Sequence, residues 1–319
     1  MTNPTTEFDT PWKDVLETYF EDFIAFFFPQ AHSQIDWSKG FEFLDKELQQ
    51  VVRDAELGLR LVDKLVKIYR LGGEQAWVLV HVEVQSQQET EFAERMFIYN
   101  YRIYDRYRRS VASFAVLGDE SNTWRPNQFG YNLFGCDVSF SFPFVKLLDY
   151  HRSWSELESN RNPFATVVMA HLKALETKKD RRKRQEWKLI LTRRLYEIGY
   201  NRQEIINLFQ FIDWMMTLPS ELEQEFQLQL SQYEEERKMP YITSVERMGI
   251  KKGILQKGRE DVIEVLQIRF SNVPSPLVEM INQIEDASRL TTLHRQAITI
   301  GSLAEFQNFL EQLEAYKND

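Results

Sequence analysis

The chain has 319 residues, a net charge of −9 and a pI near 5.3. That balance excludes a general electrostatic grip on nucleic acid, because phosphate binding is driven by Lys and Arg contacts that release counterions; any such role needs a local basic patch. A content of 43% hydrophobic and 13% aromatic residues excludes general disorder, and the single cysteine, Cys136, excludes a disulfide framework and a multi-cysteine zinc site.

In chain order, residues 12–28 set Trp12, Val15, Leu16, Tyr19, Phe20, Phe23, Ile24 and Phe27 at helical spacing, with Thr10-Pro11 as the entry and Pro29 as the stop, which predicts one helix. The apolar run 23–28 falls short of the roughly 20 residues a membrane span needs, and the N-terminus lacks the basic and apolar segments of a secretory signal. A soluble, cytoplasmic protein with no membrane partner is expected. Three extended segments follow, around 41–52, 61–71 and 75–85, the first the weakest and open to being partly helical, with Gly72-Gly73 turning the second into the third. Residues 90–109 return to helical spacing through Phe92, Met96, Tyr99, Ile103 and Tyr107, and carry Arg95, Arg102, Arg106, Arg108 and Arg109. Residues 110–117 read as a buried strand ending at Gly118-Asp119. The predicted order is α-β-β-β-α-β. Alternating Val138, Phe140 and Phe142 suggest a further strand or hairpin packed on that unit, with Cys136 as a buried small residue.

Beyond Phe144 the pattern is helical: 162–175 from Asn162-Pro163, 184–198, 201–216 and an acidic 221–238. After a break at Met239-Pro240, the stretch 242–255 contains Gly249 and Gly253, with Gly258 beyond, and is predicted to be bent or linker-like. Helices at 260–270, 276–284 and 303–316 complete the chain. This gives an α/β domain over 1–150, a helical extension over 151–250 and a C-terminal helical domain over 251–319. The run 178–194 holds nine Lys/Arg against Asp180 and Glu186, either a solvated face or a dock for a phosphate backbone. Trp124, Trp154, Trp187 and Trp214, like Phe209, Ile212 and Met216, read as core.

The chemistry-bearing segment joins Asp63-Lys64 to 78–85. There Val78, Val80, Val82 and Val84 take one face of a strand, and His81, Glu83 and Gln85 the other. With Gly72-Gly73-Glu74 as the turn, Leu71 pairs with Gln75 and Asp63 falls directly opposite Glu83. Two carboxylates so placed repel, and a divalent cation relieves the repulsion. An oxygen-rich site suits Mg²⁺ or Mn²⁺, which would polarise a phosphodiester, with Gln85 orienting the attacking water or the phosphate. The competing reading makes Asp63 a strand-edge partner of Lys64 or Lys67 and Glu83 a solvent-facing residue. His81-x-Glu83 lacks the downstream cysteine pair of zinc deaminases, and His32, His151, His171 and His294 are too scattered for a metal cluster.

Asp63, the Gly-rich turn, Glu83-Val84-Gln85-Ser86 and the following helix with Arg95 and Tyr99, together with Asp9 and Trp12-Lys13, resemble the Rpn family of recombination-promoting, transposase-like nucleases in the PD-(D/E)XK superfamily. The resemblance spans roughly residues 9–120 and, more loosely, the helices to about 250; residues 253–314 resemble an uncharacterised helical domain often attached to such proteins. It implies a restriction-endonuclease-like α/β core followed by a mainly helical part, and metal-dependent DNA endonuclease activity. Asp63 and Glu83 would be the metal-binding catalytic carboxylates, and Gln85 would stand in the catalytic position usually held by lysine. Glu17 or Glu47 would be a third acidic ligand, Lys64 or Lys67 would replace the missing charge, and Arg95 and Arg102 would bind substrate. The implied partners are DNA and either a second copy or a recombination protein. The departure at Gln85 keeps open a non-enzymatic or catalytically weakened interaction protein that retains the fold.

Overall fold

The computed structural model describes residues 9–48, 63–83, 91–239, 241–242, 244–270 and 273–315. Two units make up the chain, one within Phe8–Glu236 and one within Arg237–Asp319. The first opens with α1 (Asp9–Thr18), α2 (Phe20–Phe27) and the short α3 (Pro29–His32). The single helix expected over 12–28 is therefore divided at Tyr19, whose ψ of 41° leaves helical geometry. Pro29 opens α3, at a position where its missing N–H leaves no helix bond unmade.

There follow β1 (Glu42–Phe43), β2 (Asp63–Tyr69), β3 (Gln75–Glu83), α4 (Phe92–Tyr107), β4 (Val111–Leu117), β5 (Gln128–Leu133), β6 (Cys136–Ser141) and β7 (Phe144–Lys146). The order α-β-β-β-α-β is present. Of the expected segment 41–52, the described residues 41–48 hold two extended residues, Glu42 and Phe43, followed by a helical turn at 45–48. The mixed sheet has five strands in the order β1-β2-β3-β4-β7. β1, β2 and β3 are antiparallel neighbours, while β4 lies parallel to β3 and to β7. β5 and β6 form a separate two-stranded ribbon.

Both faces of the sheet are covered. Leu65 and Leu79 pack with Tyr99 and Ile103 of α4 and with Leu44 and Leu48. On the opposite parity Val66, Val78, Val80 and Val116 are buried, and Phe114 stacks on Phe28 at 4.4 Å between ring centroids. The rings of α1 and α2 continue this layer into the later helices α5 (Trp154–Ser159), α6 (Pro163–Glu176), α7 (Arg181–Glu197), α8 (Arg202–Met215) and α9 (Ser220–Arg237). Trp12 meets Phe164 of α6 and Phe211 of α8, and Phe23 meets Phe164. The predicted start at Asn162-Pro163 holds, with Asn162 Oδ1 accepting from Phe164 N at 2.9 Å, and Asn201 with Glu204 forms a capping box that was not anticipated. Phe209, Ile212 and Met216 are buried as expected, whereas Trp124, Trp154, Trp187 and Trp214 are only half-buried. Cys136 is exposed rather than buried, because it sits at the ribbon tip opposite Leu133.

The basic run around α7 divides: Lys178, Lys179, Arg181, Arg182 and Lys183 are exposed, while Arg184, Lys188 and Arg194 are buried in structural contacts. Lys188 is 1% exposed between Asp213 at 2.6 Å and Glu223 at 2.7 Å, joining α7 to α8 and α9. Arg194 donates to the carbonyls of Leu157 at 2.7 Å and Asn160 at 2.8 Å, closing the end of α5. Buried Arg184 donates to Ala174 O at 2.8 Å, and Arg182 pairs with Glu225 at 2.5 Å.

In the second unit α10 (Ser244–Phe270) is a single helix through Gly249, Gly253 and Gly258, where a bent segment and a separate helix were expected. It is followed by α11 (Ser275–Asn282), α12 (Ala287–Thr299) and α13 (Leu303–Ala315). Gly258 has a packing reason: a Cβ there would stand 3.3 Å from the Leu290 side chain. Val262, Leu266, Leu277, Ile281, Leu293 and Phe306 complete this core. α12 was not anticipated, although Asp286 caps it and Leu290, Leu293 and Ala297 mark its buried stripe. No helix among the described residues is long and apolar enough to cross a membrane.

His171 of α6 is fully buried with Nε2 2.8 Å from Gly118 O, and burial holds its pKa down at about 4, from an ordinary 6.5. The folded ring therefore stays neutral where the unfolded ring takes a proton, and stability falls as pH drops from 6.5 towards 4. The loss attributable to this ring reaches about 3 kcal/mol, at 1.36 kcal/mol per pH unit. Thermal melts across that range should show a steeper fall for the wild type than for His171→Gln; equal slopes would remove His171 as the source.

Candidate active site at one end of the sheet

A sheet buried on both faces leaves polar chemistry to its strand ends. Asp63 is the first described residue of β2 and Glu83 the last described residue of β3, and antiparallel pairing brings both to the same end of the described sheet. β4 and β7 end there too, with Leu117 aligned to Glu83 on one side and to Lys146 on the other. Phe92 and Met96, from the start of α4, cluster with Ala115 and Leu117, which sets the partly positive N-terminal end of α4 over this region.

The register corrects the expected pairing. Asp63 lies opposite His81, not Glu83. Arg70 N donates to Glu74 O at 2.8 Å, so the loop is Leu71-Gly72-Gly73, with Gly73 at φ 86° supplying the left-handed residue. The displacement is two residues, an even number, so strand alternation still puts positions 63, 81 and 83 on one face. Asp63 and Glu83 become diagonal neighbours, about 7–8 Å apart at Cα rather than directly opposed. Gln85 lies outside the described residues.

The two lysines that the sequence offered as a catalytic cation, Lys64 and Lys67, are committed to ion pairs. Lys64 belongs to the other parity and is 1% exposed, with Nζ 2.5 Å from Glu17 and 2.8 Å from Asp45, over the Phe43 ring at 5.4 Å. Glu17, considered as a third metal ligand, is thus engaged on the face away from Asp63. Glu47, the other candidate, accepts at its carbonyl from the Tyr107 hydroxyl at 3.5 Å, at the C-terminal end of α4. Lys67 pairs with Glu42, directly opposite it on β1, and that bond holds the ammonium above its ordinary pKa.

One ion pair of this region was not foreseen. Lys146 and Asp119 are both buried and pair with each other, and Asp119 Oδ1 also accepts from Ser121 N at 2.8 Å. Burial pushes the Lys146 ammonium below its usual pKa, opposed by the bond to Asp119. Its sequence signal was a charged residue on each side of two strand ends, Asp119 after 111–117 and Lys146 closing 144–146. Arg125 clasps Asp149 through two bonds of 2.8 and 2.6 Å, which hold that carboxyl below its ordinary range and fix the loop beside the pair.

Of the substrate-binding candidates, half-buried Arg95 lies in the first turn of α4, its guanidinium carbon 5.5 Å from the Phe92 ring centroid. Arg102 is half-buried and stands about 10 Å further along, at 1.5 Å per residue. The two do not converge on one point. No group of three or more His, Cys, Asp or Glu able to hold a metal occurs among the described residues. Asp63 and Glu83 offer hard carboxylate oxygens, a donor set that fits Mg²⁺ or Mn²⁺ with water completing the shell. Comparison with family models, with curated proteins and with solved structures gives no match.

The Lys64 cluster predicts coupled stabilities. Lys64→Met should cost about 2–3 kcal/mol in urea unfolding, since two carboxylates lose their shared counter-charge. Adding Glu17→Gln should restore part of the loss; an additive double variant would show that the pair is not coupled.

Proposed function

We propose that the chain is a metal-dependent DNA nuclease of the PD-(D/E)XK type, in the manner of the Rpn family. The observation that supports this reading best is the placement of Asp63 and Glu83, at one end and on one face of a mixed sheet with α-β-β-β-α-β order. Mutual repulsion of two carboxylates there favours a cation over an empty site. Asp63 and Glu83 would hold Mg²⁺ or Mn²⁺, and the ion supplies Lewis-acid polarisation of a phosphodiester.

The remaining work falls to the chain's own residues. Gln85, as a neutral amide, can donate to a phosphate oxygen or orient a water, and can supply neither a proton nor a charge. Arg95, at the carboxylate end of α4, is placed to attract the substrate phosphate that the N-terminal end of the helix also favours. A second reading, an interaction protein with weakened activity, is favoured by the commitment of Lys64 and Lys67 to ion pairs.

The test is incubation of purified protein with supercoiled plasmid and Mg²⁺, Mn²⁺ or Ca²⁺, beside Asp63→Ala and Glu83→Ala. Nicking that requires metal and falls about a thousandfold or more in each variant, with unchanged circular dichroism, is expected. Wild-type protein that leaves the plasmid intact with every metal would favour the second reading.

A further inference from the structure

The β5–β6 ribbon has one apolar face. Its register puts Phe129 opposite Phe140, Tyr131 opposite Val138 and Leu133 opposite Cys136, while Gly130, Asn132, Asp137 and Ser139 share the other face. Only the inner end of the apolar face is covered. Phe97 of α4 stacks on Phe129, with centroids 5.0 Å apart, and lies 5.7 Å from Phe140. At the outer end Tyr131 is 53% exposed, Leu133 58% and Phe134 99%. Phe97 also stacks on Tyr101 at 6.3 Å, and Phe129 meets Tyr131 at 6.2 Å. The result is a ladder of rings, Tyr101-Phe97-Phe129-Tyr131, whose two terminal members are exposed.

The ribbon tip adds a second peculiarity. Phe134 adopts φ 53° and Gly135 φ 83°. Asn-Gly commonly makes such turns, because a bulky side chain rarely enters the left-handed region. Here an aromatic ring occupies that position and stands almost wholly in solvent.

Charge identifies the kind of partner. The ribbon residues 128–141 contain no Lys or Arg, but residues 92–109 hold five arginines against Glu94 and Asp105, in a chain of net charge −9. Arg108, just past the end of α4, reaches over the Tyr104 ring at 5.9 Å and pairs with Asp105 at 3.1 Å with its own side chain still exposed, and helical spacing sets Tyr104 on the flank of α4 that carries Tyr101. Arg102 and Arg106 run down the other flank. Exposed flat rings beside guanidinium groups suit a ligand with π faces strung on an anionic backbone. In a duplex those faces are stacked away, so the ligand is an unpaired strand.

We infer that α4 and the β5–β6 ribbon form a binding surface for single-stranded nucleic acid, with bases stacked on Tyr101, Tyr131 and Phe134 and phosphates held by Arg108 and Arg109 at the C-terminal end of α4. The inference deepens the nuclease reading, on which it rests for the choice of DNA. The test separates the two, because binding is measured in EDTA, where no metal-dependent cleavage occurs. Fluorescence anisotropy would follow a labelled oligothymidine of about 20 nucleotides, long enough for one such site, against a duplex of equal length.

The single strand should bind more tightly than the duplex. Tyr131→Ala and Phe134→Asn should each weaken it about tenfold, the scale of one lost stacking contact. Phe134→Asn should do so with an unchanged or higher Tm, since asparagine tolerates the left-handed turn. Arg108→Ala combined with Arg109→Ala should flatten the dependence of log K on log salt by about one to two. Single-strand affinity unchanged in both ring variants, preference for the duplex, or no binding by the wild type would each overturn the inference. Ring-dependent binding in EDTA alongside an intact plasmid in metal would uphold it while the nuclease reading fails.

Discussion

A mixed sheet covered on both faces can tolerate charge only at a strand end or beside an opposite charge, and this constraint organises the α/β unit. Lys64 and Lys146 are buried on different strands, and each carries a carboxylate partner with it, Glu17 with Asp45 in one case and Asp119 in the other. Asp63 and Glu83 meet the same constraint in the other way, towards the end of the described sheet where β4 and β7 also stop. A carboxylate pair in mid-sheet would have to be neutralised or lose its charge. Near a strand end the cost of keeping such a pair charged is lower, which is where the proposed chemistry would sit.

Much of this was legible in the sequence because its signals are local. Asn162-Pro163 announced a helix start correctly, and the 3.6-residue spacing of Phe92, Met96, Tyr99 and Ile103 gave the buried stripe of α4. The parity of Asp63 and Glu83 was also legible, since alternation survives any even displacement. Their direct opposition was not, because it depended on which residues close the turn, and the bond from Arg70 N to Glu74 O is set by backbone geometry rather than by side-chain pattern. Cys136 was misjudged for a similar reason. An apolar neighbourhood in sequence says nothing of whether a ribbon tip finds a covering element.

Charge runs were the least readable feature. The cluster from 178 to 194 suggested a basic surface, and five of its nine cations are exposed, yet Arg184, Lys188 and Arg194 are buried and bound to carbonyls or carboxylates of neighbouring helices. Those partners are 10 to 37 residues away in the chain, so no local window could contain them. The arginines of α4 look similar in composition but stand among exposed tyrosines, which is why tertiary context separates the two sets.

The ring cluster of the first two helices has a consequence for how the chain is made. Trp12 rests on Phe211, and the Tyr19 hydroxyl accepts from Asn207, 188 residues later in the chain. A segment this rich in phenylalanine is synthesised well before the helices that cover it and is buried late. At about 5–20 residues per second, its partners follow on the order of ten seconds or more behind it. Through that interval the nascent chain holds an unsheltered aromatic surface beside the ribosome, where a holding chaperone would find it before the rest of the protein does.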